Sequence, residues 1–193
     1  MHKNITLNEV GLREGFQNLH RVYNTKLKLT ILDGLLQAGI RHIQLGSFVH
    51  PKILPQMADA EVLFHSAPQL DNVVYSAFIL NEQGLTRAID CGVKKVETSM
   101  SLYESYGFKN TGMKFDRAYE EMTRLVRLAH RYDIHIRVGL QCVWGVANEE
   151  KPSADIVLSC VEKLLALDPD KICLADTAGL ATPKMVKEYL DII

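Results

Sequence analysis

A chain of 193 residues, 47% of them hydrophobic, is long enough to bury a full core, and its length suggests one domain. A formal net charge of −1 removes the electrostatic case for nucleic acid or an anionic membrane surface, which leaves small-molecule chemistry or protein contact.

In chain order, hydrophobic patterning and turn signals predict strands over residues 5–10, 42–45, 73–80, 95–98, 134–141 and 171–175. Helices are predicted between them. The first covers 25–38, with Thr25 as N-cap, Gly39 as stop and Leu29, Leu32 and Leu36 on one face. Others follow over 55–65, 82–91 ending at Gly92, 116–132 and 153–167; a last one opens at Thr182-Pro183, with Thr as cap and Pro in the first turn. The segment 101–114, polar with Tyr103 and Tyr106, reads as a loop, either covering a substrate or making a surface excursion. Strand and helix alternation forces a parallel sheet, because each helix returns the chain to the same edge. No linker or composition break interrupts 1–193, so a single domain is expected.

Four cysteines, Cys91, Cys142, Cys160 and Cys173, lie in apolar segments without a C-x-x-C pair or clustered histidines. That usage predicts reduced core thiols and a cytoplasmic or mitochondrial-matrix location. Met1-His2-Lys3-Asn4 leads toward a strand without the apolar core of a secretion signal, and no run reaches the roughly 18 apolar residues of a membrane span.

The turn after the first strand is the most chemically informative segment. Within Val10-Gly11-Leu12-Arg13-Glu14-Gly15-Phe16-Gln17-Asn18, an arginine stands beside a carboxylate between glycines. The forked, permanently charged guanidinium suits a carboxylate or a developing enolate oxygen, and Glu14 is a hard oxygen donor suited to Mg²⁺ or Mn²⁺. The alternative is a surface ion pair in a glycine-flanked turn. Polar residues recur at the other strand ends: Gln44 and Ser47; Glu97, Ser99 and Ser101; Gln141 and Cys142; Asp176 and Thr177. Recurrence at carboxyl ends of several strands is the pattern of a (β/α) barrel, whereas a doubly wound sheet concentrates its site at one switch point, usually with a glycine-rich phosphate loop. No G-x-G-x-x-G or Walker A pattern occurs. A complete barrel has eight βα units and about 250 residues, so six units are expected to form part of one, either a shortened chain or one completed by something else.

Three segments carry a family resemblance: Val10 to Asn18; the run Ile43-Gln44-Leu45-Gly46-Ser47-Phe48-Val49-His50-Pro51-Lys52-Ile53-Leu54-Pro55-Gln56-Met57; and Cys173-Leu174-Ala175-Asp176-Thr177-Ala178-Gly179 with Thr182-Pro183. They resemble 3-hydroxy-3-methylglutaryl-CoA lyase and its pyruvate carboxyltransferase-like relatives. The resemblance implies a TIM barrel, divalent-metal dependence on Mg²⁺ or Mn²⁺, and retro-Claisen cleavage of a 3-hydroxy-acyl-CoA; a Claisen-type synthase or aldolase on the same barrel, or a non-catalytic fragment, stays open. It matches Arg13 to the catalytic arginine, Glu14 to the first metal ligand, and Asp176 to a catalytic aspartate. Gln17, Gln44, Ser47, Ser101 and Thr177 become substrate-binding candidates. The remaining metal ligands, a His-x-His and an asparagine, would lie beyond residue 193. The implied partner is an acyl-CoA or 3-hydroxy acid, with self-association open. Two positions depart from the family: Gln44 stands where it has an acidic residue, and the loop Cys142 to Glu150 lacks its second cysteine and its Pro-Tyr-Glu-Gly run.

Other side chains have two readings. His20, His50 and His65 stand alone, as ligands or merely solvated groups. Glu97 suits a base or a salt bridge, and Cys142 a reactive thiol or core packing.

Overall fold

The computed structural model describes residues 5–193; the expectation drawn from Met1-His2-Lys3-Asn4 lies outside the described residues. Among the described residues six strands form, β1 (Asn8–Glu9), β2 (His42–Ser47), β3 (Val74–Phe78), β4 (Lys95–Ser101), β5 (His135–Gln141) and β6 (Lys171–Leu174). Their order in the sheet is the chain order, and the pairings of β1 with β2, β2 with β3, β3 with β4, and β5 with β6 are parallel. No switch point interrupts that order, which is the barrel-type sequence of βα units rather than the doubly wound one. The helices are α1 (Thr25–Gln37), α2 (Ala60–Ser66), α3 (Glu82–Asp90), α4 (Glu104–Thr111), α5 (Phe115–Arg131), α6 (Ala154–Leu165) and α7 (Pro183–Ile192). The chain divides into two compact units, Met1–Glu97 with Arg131–His135, and Thr98–His130 with Ile136–Ile193.

In the first unit β2 is the core strand. Ile43, Gln44, Leu45, Gly46 and Ser47 are all buried, as a parallel strand covered on both faces must be. A register shift between Gln44 and Gly46 against β3 bends the strand at the point where its polar side chains begin. Strand β1 is shorter than the predicted 5–10: Ile5 and Leu7 are 94% and 64% exposed, and only Asn8 and Glu9 pair with β2. Its apolar alternation marked β propensity without a partner to pair with.

The cap of helix α1 lies one residue earlier than expected, at Asn24 rather than Thr25. Asn24 accepts the Leu27 N–H at 2.9 Å, while the Thr25 hydroxyl donates instead to Asp59 Oδ2 at 2.8 Å. Its buried residues are Leu32 and, against expectation, Lys28. The Lys28 ammonium donates to the Gln56 carbonyl at 2.6 Å and to Asp59 Oδ1 at 2.5 Å. Those bonds also explain why the helix predicted over 55–65 divides into a 3-10 turn, Pro55–Met57, and α2. The Gln56 carbonyl serves a lysine, and the Asp59 carboxylate serves α1 rather than capping α2.

Helix α3 packs so closely that a Cβ on Gly84 would stand 2.8 Å from the Phe48 carbonyl oxygen. In an open helix Gly→Ala stabilises by up to about 1 kcal/mol, but here a backbone atom must move. Gly84→Ala is expected to cost about 1–2 kcal/mol in urea unfolding; a gain in stability would show that α3 can shift away from β2's end.

In the second unit α5 buries Met122, Leu125, Val126 and Ala129 along one stripe, and α6 buries Val157, Val161 and Leu164. Ser153 caps α6 through the Ile156 N–H at 3.4 Å, and Thr182 caps α7 through the Met185 N–H at 3.4 Å with Pro183 in its first turn. The predicted loop 101–114 contains α4, ended by Gly112 at φ 71°. None of its residues is buried, so no apolar stripe marked it in the sequence. Among the described residues no helix is long and apolar enough to cross a membrane.

Candidate functional site

Arg13 and Glu14 sit in a π-helical turn, Gly11–Gly15, directly after β1. The Val10 carbonyl accepts both the Arg13 N–H at 3.0 Å and the Glu14 N–H at 2.7 Å, and buried Leu12 anchors the turn in the first unit's core. The Gly11 N–H donates to Glu9 Oε1 at 2.6 Å; a Cβ on Gly11 would stand 2.8 Å from that oxygen, so glycine lets the carboxylate close on the turn.

The Arg13 side chain is 14% exposed and contacts Glu14, Gln44 and Phe78. Its Nη1 pairs with Glu14 Oε2, its Nε–H donates to Gln44 Oε1, and its guanidinium carbon lies 4.8 Å from the centroid of the Phe78 ring. The aromatic face and the amide together define the plane of the cation. Glu14 is more open, at 46%, and accepts from Gln17 Nε2 at 3.1 Å and Asn18 Nδ2 at 3.2 Å.

Gln44 is fully buried, and both ends of its amide are satisfied: Oε1 accepts from Arg13, and Nε2 donates to Glu97 Oε2 at 2.5 Å. Glu97, 9% exposed, also accepts from Ser76 Oγ at 3.2 Å and Asn8 Nδ2 at 3.4 Å. Ser76 and Asn8 carried no site expectation, and Glu97 was expected as a base or an ion-pair partner. The cross-strand pairing of Gln44 with Ser76 brings them together, a relation that depends on register rather than on local sequence. Ser47, buried at the end of β2, accepts the Val49 N–H at 3.3 Å within its own turn.

In the second unit Ser101, Cys142 and Thr177 form a cluster. Ser101 Oγ donates to Cys142 Sγ at 3.8 Å and accepts the Tyr103 N–H at 3.0 Å, while the Cys142 N–H donates to Thr177 Oγ1 at 2.9 Å. Cys142 is fully buried at φ 62°. All four cysteines are thiols rather than disulfides; burial pushes the Cys91 and Cys160 thiols up, away from the reactive thiolate. Asp176 is exposed, and its carboxylate holds its own loop: Oδ1 accepts the Leu180 N–H at 2.9 Å and Oδ2 the Ala181 N–H at 3.0 Å. The Tyr103 hydroxyl donates to the Glu150 carbonyl at 2.6 Å, and burial followed by the Glu149 carboxylate pushes its phenol up.

The histidines differ. His50 Nδ1 accepts the Lys52 N–H at 3.2 Å, His65 Nδ1 lies 2.7 Å from the Glu61 carbonyl, and His20 is exposed. Among the described residues no group of three or more His, Cys, Asp or Glu side chains is placed to hold a metal. Glu14 fits one position of such a set, as an open carboxylate with hard oxygens.

A family model described as HMGL-like matches residues 4–193. Over 191 residues the chain is 29% identical to the mitochondrial hydroxymethylglutaryl-CoA lyase of Macaca fascicularis, covering 99% of this chain and 59% of that protein. The solved hydroxymethylglutaryl-CoA lyase of Pseudomonas aeruginosa superposes with a TM-score of 0.92 at 28% identity, covering 98% of this chain and 63% of that one. An HMG-CoA lyase from Acinetobacter baumannii, solved with coenzyme A and 3-methylmalate, gives a TM-score of 0.90 at 27% identity, with 97% and 61% covered. The chain thus spans less than two thirds of the length of these relatives. With the family model matched along nearly its whole length and six parallel strands in the same order, the chain belongs to the HMGL-like family and carries six βα units of its (β/α)-barrel fold.

Proposed function

We propose that the protein is a carbon–carbon lyase that cleaves a 3-hydroxy-acyl-CoA of the hydroxymethylglutaryl-CoA type by a retro-Claisen step. The observation that carries this reading is the anchored guanidinium of Arg13, oriented by Gln44, Glu14 and the Phe78 ring in a chain of this family.

In the reaction the substrate's 3-hydroxyl loses its proton, C3 becomes a carbonyl, and the electron pair of the C2–C3 bond passes to C2. Negative charge then develops on the thioester oxygen as an enolate, and protonation at C2, which balances the proton lost from the 3-hydroxyl, gives an acyl-CoA. Arg13 donates hydrogen bonds to that oxygen as the charge appears, the point at which a preorganised donor lowers the barrier. Glu14 would hold a divalent cation, Mg²⁺ or Mn²⁺, together with ligands from outside the described residues. When bound, that cation polarises the hydroxyl and carbonyl oxygens as a Lewis acid. Gln17 and Ser47 in the first unit and Thr177 in the second are assigned to substrate binding, and Asp176 to catalysis, on the family resemblance; Gln44 and Ser101 join the substrate-binding set on their places at strand ends. We take residues 1–193 as part of one catalytic domain, with the acyl-CoA as its partner. The thiol state of the four cysteines supports a cytosolic or matrix location.

The test is the full-length protein with hydroxymethylglutaryl-CoA and Mg²⁺ or Mn²⁺, following acetyl-CoA by mass spectrometry. Release of acetyl-CoA, abolished by a chelator and restored by added cation, is expected. Condensation of acetyl-CoA with a 2-oxo acid, without cleavage, would replace this reading with a synthase.

A further inference from the structure

Glu97 is a carboxylate buried in a strand whose neighbours Val96 and Thr98 are buried as well. Packing alone would favour an apolar side chain there, since a buried charge has a desolvation cost. Its carboxylate instead accepts from Asn8, Ser76 and Gln44, and the last of these is the amide whose other end accepts from Arg13. An amide is polar end to end. With Oε2 of Glu97 able only to accept, Gln44 must turn Nε2 toward it, which turns Oε1 toward the Arg13 Nε–H.

We propose that Glu97 is a positioning residue for Arg13, acting through Gln44: the buried carboxylate sets the direction of the amide, and the amide fixes the guanidinium over Phe78. This deepens the lyase reading and rests on Arg13 being the partner of the enolate. Glu97 does not touch the substrate in this scheme.

The hydrogen-bond polarities make the proposal testable by exchange. In Glu97→Gln an NH₂ group competes for the place of an acceptor: it either faces the donors Asn8 and Ser76 or forces Gln44 to flip and present its own NH₂ to Arg13. In Gln44→Glu a second carboxylate meets Glu97 at the site of the 2.5 Å contact. In the double variant Gln44→Glu/Glu97→Gln every donor again faces an acceptor, with the carboxylate moved next to Arg13.

Two measurements on the full-length protein decide the matter. In cleavage assays each single variant is expected to lose about tenfold to a hundredfold in kcat, with KM changed less than about threefold in Glu97→Gln, and the double variant to recover kcat to within about fivefold of wild type. In proton–nitrogen NMR the Arg13 Nε–H signal, identified by its loss in Arg13→Lys, is expected to lose its protection from solvent exchange in Glu97→Gln and regain it in the double variant. A double variant no better than the singles, or an Arg13 signal indifferent to Glu97→Gln, would overturn the proposal. If Glu97→Gln fails to fold, the recovery of kcat in the double variant over Gln44→Glu still decides. A wild-type protein without cleavage activity would defeat the lyase reading alone, because the NMR measurement does not depend on turnover.

Discussion

Arg13→Lys is expected to remove turnover while leaving the protein folded. Lysine keeps the positive charge but loses the planar fork, and with it the Nε–H bond to Gln44 and the guanidinium contact over the Phe78 ring. Its ammonium then has several rotamers available where the guanidinium has one, so the donors reach the enolate oxygen poorly aligned. Losing one preorganised donor of this kind costs on the order of 10² to 10³ in rate, about 3–4 kcal/mol, and a bidentate donor at least as much. Stability should change less, by about 1–3 kcal/mol, because the exposed Arg13–Glu14 pair contributes little while the buried Gln44 Oε1 loses its donor. The measurements are kcat at saturating cation and thermal unfolding of both proteins. A variant within about tenfold of wild type, roughly 1.4 kcal/mol, would make Arg13 a structural turn residue.

The second large effect concerns Lys28 and Asp59. The Lys28 side chain is 1% exposed, and its charge is balanced by the Asp59 carboxylate, which remains 23% exposed. Asp59→Ala would leave the ammonium buried with the Gln56 carbonyl, and would also remove the acceptor of the Thr25 hydroxyl. Breaking a buried pair from one side costs about 3–5 kcal/mol; the partial exposure of Asp59 places this case near the lower end, about 3 kcal/mol. Against total stabilities of about 5–15 kcal/mol that is a substantial fraction. Lys28→Met, which removes the charge and keeps the length, is expected to cost less than about 1 kcal/mol. Urea denaturation of the two variants checks this, and equal losses would show that packing rather than charge holds α1 against the Pro55–Met57 turn.

Lys28 also shows where reading the chain reaches its limit. The apolar face of α1 was visible as Leu29, Leu32 and Leu36, yet the structure buries Lys28 on that helix. A lysine is sorted by whether an acceptor waits in the interior, and the acceptors come from residues 56 and 59, beyond the helix's own sequence. Helix α4 escaped for the opposite reason: with no buried residue, its helicity left no periodic trace. Strand β1 is shorter than its apolar alternation predicts, because Ile5 and Leu7 have strand-like character but lie ahead of its pairing with β2, which begins at Asn8.

By itself the sequence determined the alternation of strand and helix, the parallel sheet in chain order, and the Arg13-Glu14 turn, because these follow from periodicity, caps and glycine positions that act within a few residues. The tertiary structure decided what those residues are attached to. Gln44 and Glu97 are 53 positions apart, and Arg13 and Gln44 are 31 apart. The chain from Glu97 through Gln44 to Arg13 exists only because β1, β2, β3 and β4 lie side by side in one sheet, and hydrogen bonds reach about 3 Å, a distance that sequence spacing does not encode.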